Sequence, residues 1–407
     1  MNDENLAAAD RAAVERGSAS SVLLAFLKLG LMSFGGPVAH LGYFRDEFVA
    51  RRKWLDEATY ADLVALCQFL PGPASSQVGI SIGMLRAGLK GALAAWVGFT
   101  MPSALAMIAF AYGVANWADA GRGAWLHGLK IVAVAVVAQA VWNMARTLAP
   151  DRERATLAAG AAVLMLALPS TAGQIAVIVL GGILGWLLLP AETREDRAPL
   201  IVPLGRGVAI GALAVFAVLL VGLPLLAGAT ASHPIKLIDS FYRSGSLVFG
   251  GGHVVLPLLQ QQVVPPGWVD NDTFLAGYGA AQAVPGPLFT FAAYLGAVMG
   301  APPNGFLGGM LCLLAIYLPS FLLLVGTLPF WNELRRRAAV KAALAGINAA
   351  VVGLLLAALY TPVWTSAILT PVDFAIGLAA FLLLAFWKVP PWLVVILGAA
   401  TAQLIAM

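Results

Sequence analysis

Charge is scarce in this 407-residue sequence: 24 Lys and Arg and 20 Asp and Glu amount to 11% of it, against 60% hydrophobic residues. A chain with so little polar material cannot cover a water-soluble globule. Cysteine is nearly absent. Cys67 and Cys312 fall in separate apolar stretches, which excludes a disulfide framework and leaves two small buried hydrophobes. The four histidines show no HExxH or similar spacing, so no metal centre is expected. There is no GxxxxGK[ST] and no GxGxxG after a predicted strand, which removes an ATPase domain and a dinucleotide cofactor. No nucleophile stands with a base, so an enzyme is not expected, and neither is any cofactor. The polar N-terminus lacks the basic, apolar, small-residue order of a cleavable signal. The net charge of +4 comes from basic residues in loops, where it reports membrane orientation rather than nucleic-acid binding. No Asp or Glu is expected deep in a span, which argues against cation transport and a carboxylate proton relay.

What the sequence has is long apolar runs, such as "IAVIVLGGILGWLLLP" (175–190) and "VAIGALAVFAVLLVGLPLLAG" (208–228). A membrane helix needs about 20 apolar residues. The expected class is an all-α polytopic membrane protein with the lipid bilayer as its surroundings.

An internal repeat organises the runs. "FLKLGLMSFGGPVAHL" (26–41) lies over "FYRSGSLVFGGGHVVL" (241–256), matching Phe26 with Phe241, Lys28 with Arg243, and Phe34-Gly35-Gly36 with Phe249-Gly250-Gly251. After a one-residue slip, Trp54, Asp56 and Thr59 match Trp268, Asp270 and Thr273. Gln68 and Pro71-Gly72-Pro73 then match Gln282 and Pro285-Gly286-Pro287. Pro102-Ser103 matches Pro319-Ser320, and Gly128 matches Gly346. The expected organisation is a polar tail (1–19), a first repeat (20–190), a charged linker (191–204), a connecting helix (205–235) and a second repeat (236–407).

The basic residues of the two repeats sit in different loops. Arg45, Arg51, Arg52 and Lys53 follow the first glycine motif, while the matching 260–272 has none. Further on, 113–125 has one arginine and 332–341 has Arg335, Arg336, Arg337 and Lys341. Basic loops stay in the cytoplasm, so the halves are expected to be inverted, with loops 45–53 and 335–341 and the N-terminus cytoplasmic. The same map favours two re-entrant hairpins per half. Residues 20–34 turn at Gly35-Gly36-Pro37 and return before Arg45; residues 61–70 turn at Pro71-Gly72-Pro73 and return before Arg86 and Lys90. Full spans are expected near 88–114, 125–147, 155–169, 172–190, 206–227, 305–330, 340–360, 368–387 and 390–406.

Hairpin legs of 10–15 residues cover about half the hydrocarbon core or a little more. Broken backbone at that depth is tolerated only when buried in protein or lining a watery cavity. A proline that opens a half-helix leaves first-turn N–H groups free, and such N-termini bind oxyanions. Four tips, two from each side, are expected to meet near the midplane. Lys28 and Arg243 are either substrate cations or snorkelling side chains. Gln68 and Gln282 either donate to an oxyanion or cap the break. His40 and His253 are proton carriers or structural residues. Lys130, opposite Asn348 in the repeat, is a structural or supporting charge. The candidate binding residues are Lys28, Ser33, Phe34, Gly35, Gly36, Gln68, Pro71, Gly72, Pro73, Ser75, Ser76, Arg243, Phe249, Gly250, Gly251, His253, Gln282, Pro285, Gly286, Pro287 and Thr290.

"FLKLGLMSFGGPVAHLGYFRDEFVARRKWLDEATYADLVALCQFLPGPASSQVG" resembles the chromate ion transporter family, and "SLVFGGGHVVLPLL" followed by "AQAVPGP" resembles that family's second domain. The resemblance covers both halves beyond the first 20 residues. It implies a bacterial inner-membrane protein that extrudes chromate and confers resistance, with sulfate as competitor. The family's motifs fall on Phe34 to Pro37, Gln68, Pro71 to Pro73, Phe249 to Gly251, Gln282 and Pro285 to Pro287. Gly252 stands where the first half has Pro37, so the two tips need not be equivalent. Without an ATPase domain, a secondary transporter driven by the membrane potential or an ion gradient is expected. A carrier or channel for sulfate or another tetrahedral oxyanion is the alternative, and association into a homodimer is left open.

Overall fold

A computed structural model describes residues 17–117, 124–190 and 204–405, which form helices and no strand. Most of the polar tail, residues 118–123 and most of the charged linker lie outside the described residues. Helices begin where the sequence supplies a cap. The Ser18 side chain accepts the Ser21 N–H and opens α1 (Ala19–Met32). Asp56 does the same for α3 (Glu57–Phe69) and Asp270 for α11 (Asn271–Ala281), at matching repeat positions. Each cap satisfies one of the N–H groups a helix start leaves free.

In the first half, α1 stops at Ser33 and the chain turns through Gly35 (φ 103°) and Gly36 (φ 77°). It resumes as α2 (Gly36–Phe44), continued by a π-helical stretch Arg45–Arg51. Phe26 stacks on Phe48 at 4.8 Å and meets Phe44 edge-on at 5.5 Å, so the two legs are antiparallel. Next, α3 breaks at Pro71-Gly72-Pro73 and α4 (Ala74–Trp117) begins. This last run is two helices, because Ala87 (φ −143°) and Gly88 (φ 62°, ψ −154°) leave helical geometry. Residues 74–86 and 89–117 fold back on each other where the backbones of Gly83 and Gly91 touch. The second half repeats this plan. There α9 (His233–Leu247) breaks before α10 (Val255–Val263), and α11 breaks before α12 (Phe291–Val298). Gly296 at the end of α12 touches Gly308 in α13 (Gly305–Thr327), as Gly83 touches Gly91.

The remaining helices are α5 (Ala124–Leu148), α6 (Arg152–Ala167), α7 (Thr171–Leu188) and α8 (Arg206–Ala229), with α8 joining the halves. After α13 come α14 (Trp331–Leu334), α15 (Ala338–Ala358), α16 (Thr365–Ala367), α17 (Pro371–Ala385) and α18 (Pro391–Ile405). Six helical segments among the described residues are long and apolar enough to cross a membrane. The expected spans near 155–169, 368–387 and 390–406 are helices of 16, 15 and 15 residues, shorter than that.

The halves interlock through glycine. Gly346 of α15 packs into Gly181 and Gly185 of α7, and its repeat partner Gly128 of α5 packs against Gly398 of α18. Each contact joins opposite halves. Small residues let backbones approach closely, which drives helix association in lipid, where burying apolar side chains gains little.

Polar contacts sort the helix ends into two groups. At one end, Arg335 pairs with Asp62 (2.8 Å), Arg206 with Glu333 (2.6 Å) and Arg45 with Glu57 (2.7 Å), bringing the 45–53 and 335–341 segments together. At the other, the Trp125 N–H donates to Gln403 (3.2 Å), Phe306 N–H to the Tyr112 hydroxyl (2.9 Å) and Gln262 to Thr171 (3.0 Å). Asp239, buried in α9, corrects the expectation of a span interior free of acids: the helix begins eight residues before Phe241, where the repeat match starts.

Replacing Gly346 by Leu forces a side chain into the α7 backbone. The thermal midpoint of the detergent-purified protein is expected to fall, with a penalty of about 2–3 kcal/mol. Gly160→Ala in α6, where nothing lies within 4 Å, is the control and should leave the midpoint in place.

Candidate functional site

The four helix breaks converge. The Gly72 N–H of the first half donates to the Val248 carbonyl at the end of α9, at 2.7 Å. The Gly286 N–H of the second half donates to the Ser33 carbonyl just past α1, at 2.9 Å. Ser33 and Val248 are repeat partners, as are the two glycines, so the bonds are reciprocal. Neither proline of a Pro-Gly-Pro tip has an N–H, which leaves the glycine as the triplet's one backbone donor. The glycines are also required sterically. Gly72 (φ 124°) sits against the Ser320 hydroxyl, and a Cβ on Gly286 (φ 102°) would lie 2.7 Å from the Ser103 hydroxyl. Ser103 and Ser320 are again repeat partners. Between these contacts the first-hairpin tips meet, with the Pro37 ring 3.4 Å from the Cβ position of Gly252.

Donors surround this junction. The N–H groups of Gly35, Gly36, Gly250 and Gly251 donate to nothing among the described residues. A Cβ on Gly36 or on its partner Gly251 would meet nothing within 4 Å, so both tips border open space. All four glycines have positive φ, and successive N–H groups in such a turn form a concavity that suits an anion. Ser33 is 1% exposed and Ser320 0%, yet neither hydroxyl has a partner; the Gln282 amide nitrogen is likewise buried and unpaired. Buried polar groups are normally bonded, because an unmade hydrogen bond costs about 1–3 kcal/mol.

The first half carries more polar side chains at its tips than the second. Ser75 and Ser76 are buried behind Pro73, where the second half has Phe289 and Thr290. Ser76 bonds the Tyr317 hydroxyl across the halves at 3.3 Å, while Thr290 turns back to the Pro287 carbonyl at 2.9 Å. His40 bridges the Ser33 carbonyl (3.2 Å) and the Ser75 hydroxyl (3.3 Å) with its edge on Phe99. His253 bonds Tyr278 at 2.8 Å, within its own half. Gln77 caps the first tip by donating to the Pro71 carbonyl at 2.8 Å.

Other expected residues lie apart from this cluster. Lys28 is exposed on the outer face of α1 beside Leu24, Leu27 and Leu31. Arg243 pairs with Asp239, one turn earlier in α9, and its Nε is buried without a partner. Gln68 is exposed, Phe34 packs against Trp392 at 6.2 Å, and Phe249, Pro71 and Pro285 are half-buried at their tips. Sequence reasoning does not pick out Gln77, Ser103, Tyr317, Ser320 or Asp239 as site residues. The Pro102-Ser103 and Pro319-Ser320 match is the available signal for two of them. Among the described residues no group of three His, Cys, Asp or Glu converges as a metal site would require.

The chromate transporter family profile matches residues 20–186 and 235–403, one copy for each set of tips. The chain belongs to the chromate transporter family. It is 28% identical to a chromate transport protein of Pseudomonas aeruginosa over 343 residues, 81% of this chain and 77% of that one. It is 27% identical to a probable chromate transport protein of Synechococcus elongatus over 401 residues, 92% of each. A chromate transport protein of Cupriavidus metallidurans is 25% identical, covering 95% of this chain and 92% of the relative. No solved structure matches significantly. In this family member, then, the two matched segments contribute two tips each to one junction.

Gly72→Ala and Gly286→Ala add both φ strain and a collision, so both are expected to lower the melting temperature and the yield of folded protein. Gly36→Ala, with strain but open space, should melt closer to the parent in the same assay.

Proposed function

We propose that this chain is a secondary active transporter that exports chromate from the cytoplasm across the bacterial inner membrane. The family match over both halves carries the reading of the cargo. The junction supports the mechanism. Free N–H groups at the glycine tips and the unpaired Ser33 and Ser320 hydroxyls would hold the oxyanion near the midplane. Such pre-oriented donors bind an anion without a fully buried, uncompensated cation. Arg243, neutralised by Asp239, would act at longer range.

The reciprocal tip bonds and the gathering of the 45–53 and 335–341 segments at one end support an inverted repeat, with that end cytoplasmic. Alternating access would then come from rocking one half against the other. Outward movement of negative charge is favoured by an inside-negative potential, by about 2.3 kcal/mol per charge per 100 mV. Sulfate is the competing cargo, because N–H and O–H donors meet both ions as tetrahedral dianions.

Chromate uptake into everted membrane vesicles, with and without an imposed potential, tests the proposal. Potential-dependent uptake that sulfate suppresses is expected. Sulfate uptake without chromate uptake would keep the architecture and change the cargo, and movement of neither anion in sealed, energised vesicles would refute the reading. Ser33→Ala and Ser320→Ala are each expected to weaken apparent chromate affinity by about tenfold, as for a lost hydrogen bond to a charged group. Lys28→Gln should retain uptake, and Arg243→Gln, which leaves Asp239 buried without its partner, should lose most of it.

A further inference from the structure

Among the ion pairs that join the halves, two, one at each end of the bundle, bind the same kind of element. Asp62 lies on α3, the leg that leads to Pro71-Gly72-Pro73. Asp272 lies on α11, the corresponding leg leading to Pro285-Gly286-Pro287. Asp62 is held by Arg335 of the second half at 2.8 Å, and Asp272 by Lys130 of the first half at 3.0 Å. The residues are not repeat partners, yet the logic is the same twice: a carboxylate on a hairpin leg, a cation on the opposite half. The pairs lie at opposite ends, Asp62–Arg335 among the basic segments and Asp272–Lys130 at the end where Trp125 meets Gln403.

We propose that these two pairs are the opposed latches of the transport pathway, each closing one end and opening in alternation. The proposal rests on the alternating-access reading above. Each leg ends in the tip whose glycine bonds the other half, through Gly72 to Val248 or Gly286 to Ser33. A leg therefore cannot swing away from the opposite half without breaking its own ion pair, and breaking one pair leaves the other intact. The latches differ in how readily they open. Asp62 and Arg335 have side chains 9% and 14% exposed, so this pair parts where little water reaches it. Lys130 is 11% exposed but Asp272 is 56%, so water receives that carboxylate when the pair parts. Lys130–Asp272 is therefore the easier latch of the two to open.

Thiol labelling from each side of the membrane tests this. Cys67, fully buried on α3 five residues past Asp62, is the reporter for one end in a Cys312→Ala background. Its repeat partner, Ala281 on α11, is buried as well and serves the other end as Ala281→Cys with Cys67→Ala and Cys312→Ala. Sealed vesicles of both orientations are treated with a membrane-impermeant maleimide. Asp62→Asn or Arg335→Gln is expected to raise labelling of Cys67 from the basic end by about tenfold, a typical size for a shifted two-state equilibrium. Lys130→Gln or Asp272→Asn should raise labelling at position 281 from the opposite end only. The exchanged pair Lys130→Asp with Asp272→Lys should return labelling toward the parent rate. Unchanged labelling in variants that melt like the parent would overturn the latches, and so would a rise from both ends at once, which marks general loosening. Failure of the parent to move chromate or sulfate would instead refute the transporter reading, whatever the labelling shows.

Discussion

The exchange of tip hydrogen bonds, Gly72 to Val248 and Gly286 to Ser33, is the constraint from which the rest of the molecule follows. A Pro-Gly-Pro turn inside an apolar bundle has one N–H, and leaving it unmade costs several kcal/mol where no water can reach it. Each half satisfies that donor with a carbonyl of the other half, at the point where a first-hairpin leg has just ended. Neither half satisfies its own backbone alone, so the junction forms only between two halves. The glycine crossings at Gly346 and Gly128 hold the outer helices in the same reciprocal way.

That constraint also decides what kind of surface the junction offers. Because the tips themselves are built of glycine and proline, the polar groups they leave over are mainly N–H donors, joined by the buried Ser33 and Ser320 hydroxyls. Arg243, the cation turned inward on a leg that leads to the junction, is matched by Asp239. On the proposed reading, an anion at the junction would meet mainly neutral donors fixed in position, an arrangement that attracts negative charge while avoiding a buried cation with no partner. The first half carries the richer share through Ser33, His40, Ser75 and Ser76, while Phe289 and Val255 occupy the places matching Ser75 and His40.

Much of this architecture is legible in the amino-acid order. Pro71-Gly72-Pro73 and Pro285-Gly286-Pro287 cannot sit within regular helix, and the double glycines at 35–36 and 250–251 announce turns with positive φ. Loop charge separates the ends of the helices. Less legible is which face of each apolar helix points inward. Lys28 and Arg243 match in the repeat, yet one lies on an outer face among exposed leucines and the other is half-buried against a carboxylate. In lipid the outer face of a helix is as apolar as the inner one, so hydrophobic periodicity carries little information about facing.

The sequence by itself determined the membrane class, the repeat, the broken hairpins and the family, because each rests on composition, local backbone chemistry or extended similarity. Tertiary structure decided the partners: Val248 for Gly72, Asp62 for Arg335, Asp272 for Lys130 and Gly181 for Gly346. All of these join residues more than a hundred positions apart in the chain. Such pairings depend on how the two halves dock, and no local pattern records the docking.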